Sequence, residues 1–238
     1  MDVNEFKQQY ENYSKRSDYT KLTKYIDNQD GGEMATLDVT VFKKWVNIAI
    51  SKNAVKKNKQ VPQEERFRGI SIPLTTALNM FTYLYNAVDE LDKEDSSILY
   101  PITKTEKING KNETVKLGMM YLGRDDKYIH YGLVLPQFKN VKFTFTNDMP
   151  GSKGVFSTIK NKDKVDEIIS SKVEAKVYFK NVIKFLRECM KEIDTLYNKV
   201  YPIKLKPKDT PKEEPKVEVV TSSKDEGFLD SDFDISLD

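Results

Sequence analysis

The sequence has only one cysteine, one histidine and one tryptophan among its 238 residues. Cys189 alone cannot form a disulfide within the chain, and it falls on the apolar side of a predicted helix, so we interpret it as a buried, unreactive thiol. His130 has no cysteine cluster and no metal-spaced partner around it, which argues against a zinc site. The scarcity of both residue types leaves no support for redox or metal chemistry, and we expect neither a metal nor a cofactor.

Catalytic motifs are also missing. The sequence contains no phosphate-cradling glycine loop and no GxSxG elbow. The stretch "GRDD" at 123–126 is more simply a hairpin turn, and "MPGSKG" at 149–154 lacks the Walker spacing and is interpreted as a loop. We therefore expect a protein that is not an enzyme.

Long hydrophobic runs are absent as well. No stretch approaches the roughly 18 apolar residues of a membrane span. The beginning of the sequence, "MDVNEFKQQYENYSKR", has neither the basic start nor the apolar core of a signal peptide. These features predict a cytoplasmic protein, or one in the host cytoplasm if its source is viral.

Charge is abundant but unevenly placed. The formal net charge is only +2, yet the last fourteen residues, "DEGFLDSDFDISLD", carry six acids and no base, so residues 1–224 carry +8. A basic body followed by an acidic tail indicates two regions with different partners.

The hydrophobic periods predict an α+β fold, in the order strands, helix, strands, helix. Alternating apolar residues predict one long bent strand or a hairpin over 33–53, and "RFRGISIPL" is a strand that runs directly into an amphipathic helix over 75–95. From 99 to 159 the alternation predicts an antiparallel meander with a tight "NG" turn at 109–110. A long amphipathic helix over 172–200 then completes the body, and the two strand-then-helix halves suggest a diverged duplication.

Composition divides the chain into four regions. We predict an N-terminal helical segment over 1–30, a single folded body over 31–202, a disordered linker rich in Pro, Lys, Glu and Ser over 203–224, and the acidic tail over 225–238.

Lysine, arginine and aromatic residues are mixed on the predicted strands, and this mixture is typical of proteins that hold single-stranded nucleic acid. Cations follow the phosphates and flat rings stack on the bases. The densest group has six cations in the seventeen residues from Lys52 to Arg68. The candidate phosphate contacts are Lys43, Lys44, Lys52, Lys56, Lys57, Lys59, Arg66, Arg68, Lys116, Arg124, Lys127, Lys139 and Lys142, and the candidate stacking residues are Trp45, Phe67, Tyr121, Tyr128 and Tyr131.

The tail combines acids with large apolar side chains spaced by two residues. Such a segment stays extended in water and can enter a shallow apolar pocket with a basic rim, which favours peptide docking. It can also fold back over a cationic groove and compete with nucleic acid, at a strength set by the linker. The candidate partner-binding residues are Phe228, Leu229, Asp230, Asp232, Phe233, Asp234, Ile235, Leu237 and Asp238.

The layout of basic body, Pro/Lys/Glu linker and acidic aromatic tail resembles single-stranded DNA-binding proteins of bacteria and bacteriophages. The resemblance implies that "LDSDFDISLD" recruits replication, recombination or repair proteins and modulates DNA binding. The tail departs from the bacterial pattern because it ends neither on Pro-Phe nor on another aromatic residue.

Within the body, "RFRGISIPLTTALNMFTYLYNAVDEL" is similar to the cationic strand and following helix of the Whirly and related families of single-stranded DNA binders. Arg66, Arg68 and Gly69 carry this similarity. It implies a curved antiparallel β-sheet with covering helices, although an OB-fold would use nearly the same order of elements.

These observations together predict a sequence-independent single-stranded DNA-binding protein of phage type, acting in DNA replication, recombination or repair. One alternative is a protein-interaction or regulatory module without nucleic-acid binding, and another is an RNA-binding or transcription-regulating relative. Homo-oligomerisation stays open. DNA binding requires the cations to line one groove with exposed aromatic rings, whereas cations scattered over both faces of the sheet favour the interaction module.

Overall fold

A computed structural model describes residues 3–26, 33–54, 66–136, 138, 141–146, 160–161 and 164–201. The predicted linker and tail over 203–238 lie outside these residues, as do Lys56, Lys57, Lys59 and Lys139. The described residues belong to one compact unit, residues 1–202.

Three α-helices and eleven strands make up the described residues. They follow one another as α1 (Val3–Glu11), β1 (Ser14–Lys15), a 3-10 turn (Asp18–Thr20), β2 (Leu22–Ile26), β3 (Glu33–Phe42), β4 (Trp45–Ala54), β5 (Phe67–Pro73), α2 (Leu74–Glu90), β6 (Ser97–Ile108), β7 (Lys111–Arg124), β8 (Ile129–Val134), β9 (Phe143–Phe145), β10 (Lys160–Asn161), β11 (Lys164–Val165) and α3 (Glu167–Val200). The chain is therefore α+β, as the sequence predicts.

Strands β1 to β5 form the first sheet, sheet 1, in which all pairs are antiparallel. Its order is β3–β4–β5, and the outer edge of β3 is shared by β1 at one end and β2 at the other. Lys43 and Lys44 make the two-residue turn between β3 and β4, and Lys43 takes a positive φ of 51° there.

Strands β6 to β9 form the second sheet, sheet 2, an antiparallel meander in chain order. The predicted "NG" turn joins β6 and β7, with Asn109 at φ 51° and Gly110 at φ 83°, the left-handed pair that such a turn requires. Strands β6 and β7 extend beyond the rest of the sheet as a hairpin arm, defined here as residues 103–116, whose side chains are mostly exposed.

Sheets 1 and 2 are each followed by a helix, so the doubled order predicted from the sequence is confirmed, with two large antiparallel sheets where one was expected. Strands β10 and β11 pair separately as a two-stranded antiparallel sheet. The helices α2 and α3 pack against each other, and one hydrophobic core joins them to both sheets. Phe179 of α3 stands edge-on to Tyr131 of β8, with ring centroids 5.1 Å apart, and lies 6.4 Å from Phe81 of α2. The single cysteine, Cys189, is fully buried in this core, as expected.

Helix α3 forms because its apolar residues recur every three or four positions, which buries Phe179, Val182 and Leu186 along one side. Its first turn is capped by Asp166, whose carboxylate accepts a hydrogen bond from the backbone N–H of Ile169 at 3.1 Å. The helix therefore begins five residues earlier than the periodicity alone indicates.

The N-terminal segment is helical only in α1. Residues 14–15 and 22–26 instead pair with β3, so the expectation of a helical segment over 1–30 is wrong for its second half. The cause is tertiary, because β3 offers an open edge to a segment with too thin an apolar stripe to stand alone as a helix. Helix α1 lies against α3, with Tyr10 and Tyr197 ring centroids 5.9 Å apart.

Within the described part of the chain, we find no helix that combines the length and the apolar character needed to cross a membrane.

Candidate nucleic-acid interface

Sheet 1 has two chemically different faces, because successive side chains of a strand point to opposite sides. One face carries the buried residues of the core, such as Leu37, Val39 and Ile48. The other face, called the outer face here, holds the alternate residues. These are Thr36, Asp38, Thr40 and Phe42 from β3, Trp45, Asn47, Ala49 and Ser51 from β4, and Phe67, Gly69, Ser71 and Pro73 from β5.

Three aromatic rings on the outer face are open to solvent. The exposed fraction is 51% for Phe42, 50% for Trp45 and 59% for Phe67. Phe42 and Trp45 are cross-strand partners, and Trp45 also pairs with Pro73. Phe67 lies six residues from Pro73 on the same strand, a distance of about 20 Å. The rings thus mark both ends of the outer face.

Small and polar residues fill the space between these rings. Asn47 pairs with Ser71, and Ala49 pairs with Gly69. A Cβ at Gly69 would stand 2.9 Å from the Ala49 Cβ and 3.0 Å from both the Asn47 Oδ1 and the Ile48 carbonyl oxygen. Only glycine fits there without a shift. Two residues in the middle of this face have little exposure, with Thr36 at 3% and Ala49 at 4%.

Cations lie near both ends of sheet 1. Arg66 and Arg68 flank Phe67 and are exposed, but Arg68 pairs with Ile50, so its side chain leaves β5 on the side opposite to the outer face, at the unpaired edge of the described sheet. At the other end, the Lys43 ammonium contacts the Glu11 carboxylate at 2.6 Å, and the Lys44 ammonium lies 4.5 Å from the centroid of the Tyr197 ring. The two turn lysines are therefore held by α1 and α3, so a phosphate would have to compete for them.

Two of the candidate residues are buried, and their predicted role in nucleic-acid contact is corrected here. Lys52 lies on the core face of β4 with 2% exposure, and its ammonium is 4.7 Å from the centroid of the Phe138 ring. Tyr131 of β8 is fully buried against α3, and its hydroxyl has no hydrogen-bond partner there. Neither side chain can reach a phosphate or a base.

A third candidate, Arg124, supports the fold. Its Nη1 donates hydrogen bonds to the carbonyl oxygens of Leu91 at 3.1 Å and Asp92 at 2.5 Å, just after the end of α2. These contacts tie the end of β7 to the two residues that follow α2. Arg124 is therefore a structural residue rather than a phosphate contact.

The remaining candidates lie on sheet 2 and are spread apart. Lys127 is 3.8 Å from Glu167, and Tyr128 is half-buried in the turn between β7 and β8. Tyr121 is half-buried and folds over Gly123, where a Cβ would stand 2.1 Å from its hydroxyl. Lys116 is exposed on the hairpin arm, and Lys142 is exposed before β9.

A cleft of about 460 Å³ borders the outer face along β5. Four consecutive residues of β5, Arg68 to Ser71, form one side of it. Lys104 and Leu117 of the hairpin region and Leu135 and Pro136 after β8 form the other.

His130 sits in a buried polar cluster at the β7–β8 turn. Its Nε2 is 2.5 Å from Asp125 Oδ2, and its Nδ1 is 3.0 Å from Thr144 Oγ1. Burial, the larger influence, lowers the pKa of His130 even though Asp125 opposes this effect. An ionised Asp125 can only accept, so Nε2 carries the proton and Nδ1 accepts from Thr144. The cluster joins the turn to β9, which is a structural role.

The sequence interpretation missed Phe42, although the signal was present. The buried residues of β3 alternate as Leu37, Val39 and Val41, so Phe42 is out of phase with them and belongs to the outer face. The same test places Trp45 out of phase with Val46 and Ile48. An aromatic residue out of phase with the core pattern of its strand is the feature to look for.

The described candidates thus separate into the outer face of sheet 1, the hairpin arm and the far end of sheet 2, and the cations do not line one groove.

Compared with known proteins, the chain matches no protein-family model, no curated protein and no solved structure.

Proposed function

We propose that this protein binds single-stranded DNA without sequence preference, using the outer face of sheet 1 as a stacking platform. It would serve DNA replication, recombination or repair in the manner of phage single-stranded DNA-binding proteins. The observation that carries the proposal is the exposure of Phe42, Trp45 and Phe67 on one sheet face, separated by small hydrogen-bonding residues.

Stacking on such rings suits a ligand of any sequence, because every base has a flat π-face. Each base–aromatic contact contributes roughly 1 to 3 kcal/mol. Leaving these rings exposed to solvent is unfavourable for a folded chain. The presence of three of them on one face is best explained by a flat partner.

The cations supply the second part of the interaction. Arg66 and Arg68 are exposed next to Phe67 in the sequence, and from the edge of β5 that no described strand pairs they can reach the phosphates of a strand that passes from the platform over that edge. Because each phosphate contact releases counterions, binding should weaken as salt is raised. The predicted docking tail, with Phe233, Ile235 and Leu237, would recruit replication or recombination proteins.

For the fold, we propose the Whirly-like arrangement. It is supported by two four-stranded meanders, counting β1 and β2 as one interrupted strand, each followed by a helix. An OB-fold would instead close five strands into one barrel.

A protein-interaction module without nucleic-acid binding is the second candidate. It is favoured by the separation of the candidate cations and by the internal contacts of Lys43, Lys52 and Arg124. In that case the same aromatic face would receive a protein.

Trp45 offers a direct test, because it is the single tryptophan of the chain. The full-length protein is titrated with an oligo-dT of about 35 nucleotides, longer than one expected site, while tryptophan fluorescence and the anisotropy of a labelled strand are followed together. We expect quenching that tracks binding, that reverses with salt and that duplex DNA does not produce. RNA of the same length distinguishes the RNA-binding relative.

Absence of both signals would exclude single-stranded DNA binding and leave the interaction module. Binding without any change in Trp45 fluorescence would show that the DNA lies elsewhere and would contradict the assignment of the outer face.

A further inference from the structure

The cleft beside β5 is continuous with the outer face. Gly69 and Ser71 belong to both, because the cleft follows the edge of β5 that no other described strand pairs. Pro73 pairs with Trp45. Gly69 lies four residues before Pro73, about 13 Å away along the strand. A nucleic-acid strand that leaves the Phe42–Trp45 pair along β5 therefore arrives at this cleft.

The cleft carries positive charge that can accept a phosphate. Arg68 is exposed at its edge and makes no hydrogen bond or ion pair with another described residue. On the opposite side, Lys104 pairs with Glu106, a partly exposed surface contact that a phosphate can displace. The planar guanidinium of Arg68 matches two phosphate oxygens at once, which makes it the stronger site of the two.

Beside its charged and polar residues, the lining of the cleft includes the apolar residues Leu117 and Leu135. A β-bulge between Ile102 and Thr103 leaves Leu117 without a cross-strand partner and directs it into the cleft, beside Leu135. Bulges of this kind redirect side chains next to binding sites. A volume of about 460 Å³ lies within the range of small-ligand sites and accommodates a nucleotide.

We propose that this cleft binds one nucleotide of the strand that lies on the outer face. Arg68 holds its phosphate, Lys104 provides a second cation, and the base turns in against Leu117. This inference rests on the proposed function and adds a defined subsite to it.

The test compares Arg68→Glu with Lys107→Glu, a charge reversal on an exposed lysine of the hairpin arm that does not line the cleft. We expect Arg68→Glu to weaken oligo-dT binding about tenfold and to reduce the slope of log K against log salt by roughly 0.7, the value for one phosphate contact on a single strand. Arg68→Lys should restore part of the affinity but not all of it. Lys107→Glu should change both quantities much less.

The base contact is tested with Leu117→Ala and a strand of equal length that carries abasic positions. The substitution should weaken oligo-dT binding and leave the abasic strand unaffected, because the two ligands share their phosphates and differ only in bases. Thermal unfolding of each variant verifies that the fold is kept. Arg68→Gln replaces Arg68→Glu if that variant fails this control, and Leu117→Val replaces Leu117→Ala.

Failure of the subsite can be told apart from failure of the proposed function. If the wild-type chain quenches Trp45 fluorescence on binding oligo-dT, while Arg68→Glu and Lys107→Glu behave alike, the cleft proposal is overturned and the platform stands. If the wild type binds no single strand, both are overturned. An acidic peptide that binds the wild type and not Arg68→Glu, with DNA binding unchanged, would assign the cleft to a protein partner instead.

Discussion

Phe42 and Trp45 lie directly opposite each other on β3 and β4, on either side of the Lys43–Lys44 turn, and both rings are half exposed on the same face. The hairpin fixes the separation of the two rings, so they are held in place before any ligand arrives. Because backbone pairing already fixes the two strands, binding a ligand on this face would order little of the protein and cost little conformational entropy.

The first prediction concerns these rings. Trp45→Ala and Phe67→Ala should each weaken binding of oligo-dT by roughly 1 to 3 kcal/mol, the contribution of one stacked base. Fluorescence anisotropy at fixed salt measures the change. Tyr19→Ala is the control, because Tyr19 is 78% exposed but lies in the 3-10 turn, away from the outer face. Equal losses in all three variants would argue against a stacking platform.

The second prediction uses two buried tyrosines. Tyr131→Phe should raise the free energy of unfolding by about 1 kcal/mol, because it removes a buried hydroxyl that has no hydrogen-bond partner. Tyr178→Phe should lower it, since the Tyr178 hydroxyl donates to the Thr20 carbonyl oxygen at 3.3 Å. Urea denaturation compares the variants. A loss of stability in Tyr131→Phe would mean that its hydroxyl is satisfied in solution.

The third prediction is a dependence of stability on pH that comes from His130. Burial lowers the pKa of His130 below its ordinary value of 6.5. As pH falls from about 7 to about 5, the unfolded chain takes up a proton that the folded chain resists, so the free energy of unfolding decreases. Urea denaturation at both pH values should show this decrease in the wild type.

His130→Gln provides the comparison, because glutamine cannot titrate and His130 is the only histidine of the chain. The decrease between these pH values should be smaller in this variant. Asp125 does not interfere. Burial alone would raise its pKa, but hydrogen bonds from His130 and from the backbone of Tyr128 and Lys127 outweigh this effect and lower it to about 2. Its contribution is complete above its ordinary pKa of 3.8 and is lost only as pH falls through about 2. An unchanged pH dependence in His130→Gln would contradict the prediction.

The fourth prediction separates structural from ligand-binding arginines. Arg124→Ala should lower the free energy of unfolding by roughly 1.5 to 3 kcal/mol, because it removes charged hydrogen bonds to the Leu91 and Asp92 carbonyl oxygens. DNA affinity should stay close to that of the wild type. Arg68→Ala is the matched variant, and it should show the reverse pattern. An affinity loss in Arg124→Ala without loss of stability would return this residue to the interface.

The sequence was sufficient for elements whose apolar period is clear. The strand that passes directly into α2, the "NG" hairpin and the long final helix are all confirmed, because in each the local pattern and the packing favour the same structure. Residues 14–26 differ, since their few apolar residues fit a helix about as well as a strand and the open edge of β3 decides the outcome.

Site residues were harder to predict because the type of a residue does not tell to which face of the sheet its side chain points. Lys52 and Lys44 look alike in the sequence, yet one side chain lies on the core face and the other lies in an exposed turn. Tyr131 was a candidate by residue type, but its alternation with Ile129 and Leu133 already placed it in the core. Which cations share a surface depends on how two sheets meet, and no local pattern contains that information.

Helix α3 has a consequence for how the protein is made. Its Phe179 packs on Tyr131, and its Tyr197 packs on Tyr10 of α1, so the first and middle parts of the chain find their partners in the last part of the folded unit. The ribosome synthesises the chain from its N-terminus. Both sheets therefore emerge before α3, while the apolar surface that α3 covers is still exposed. The apolar surface that α3 covers in the folded unit is therefore complete in its packing only after α3 has been synthesised.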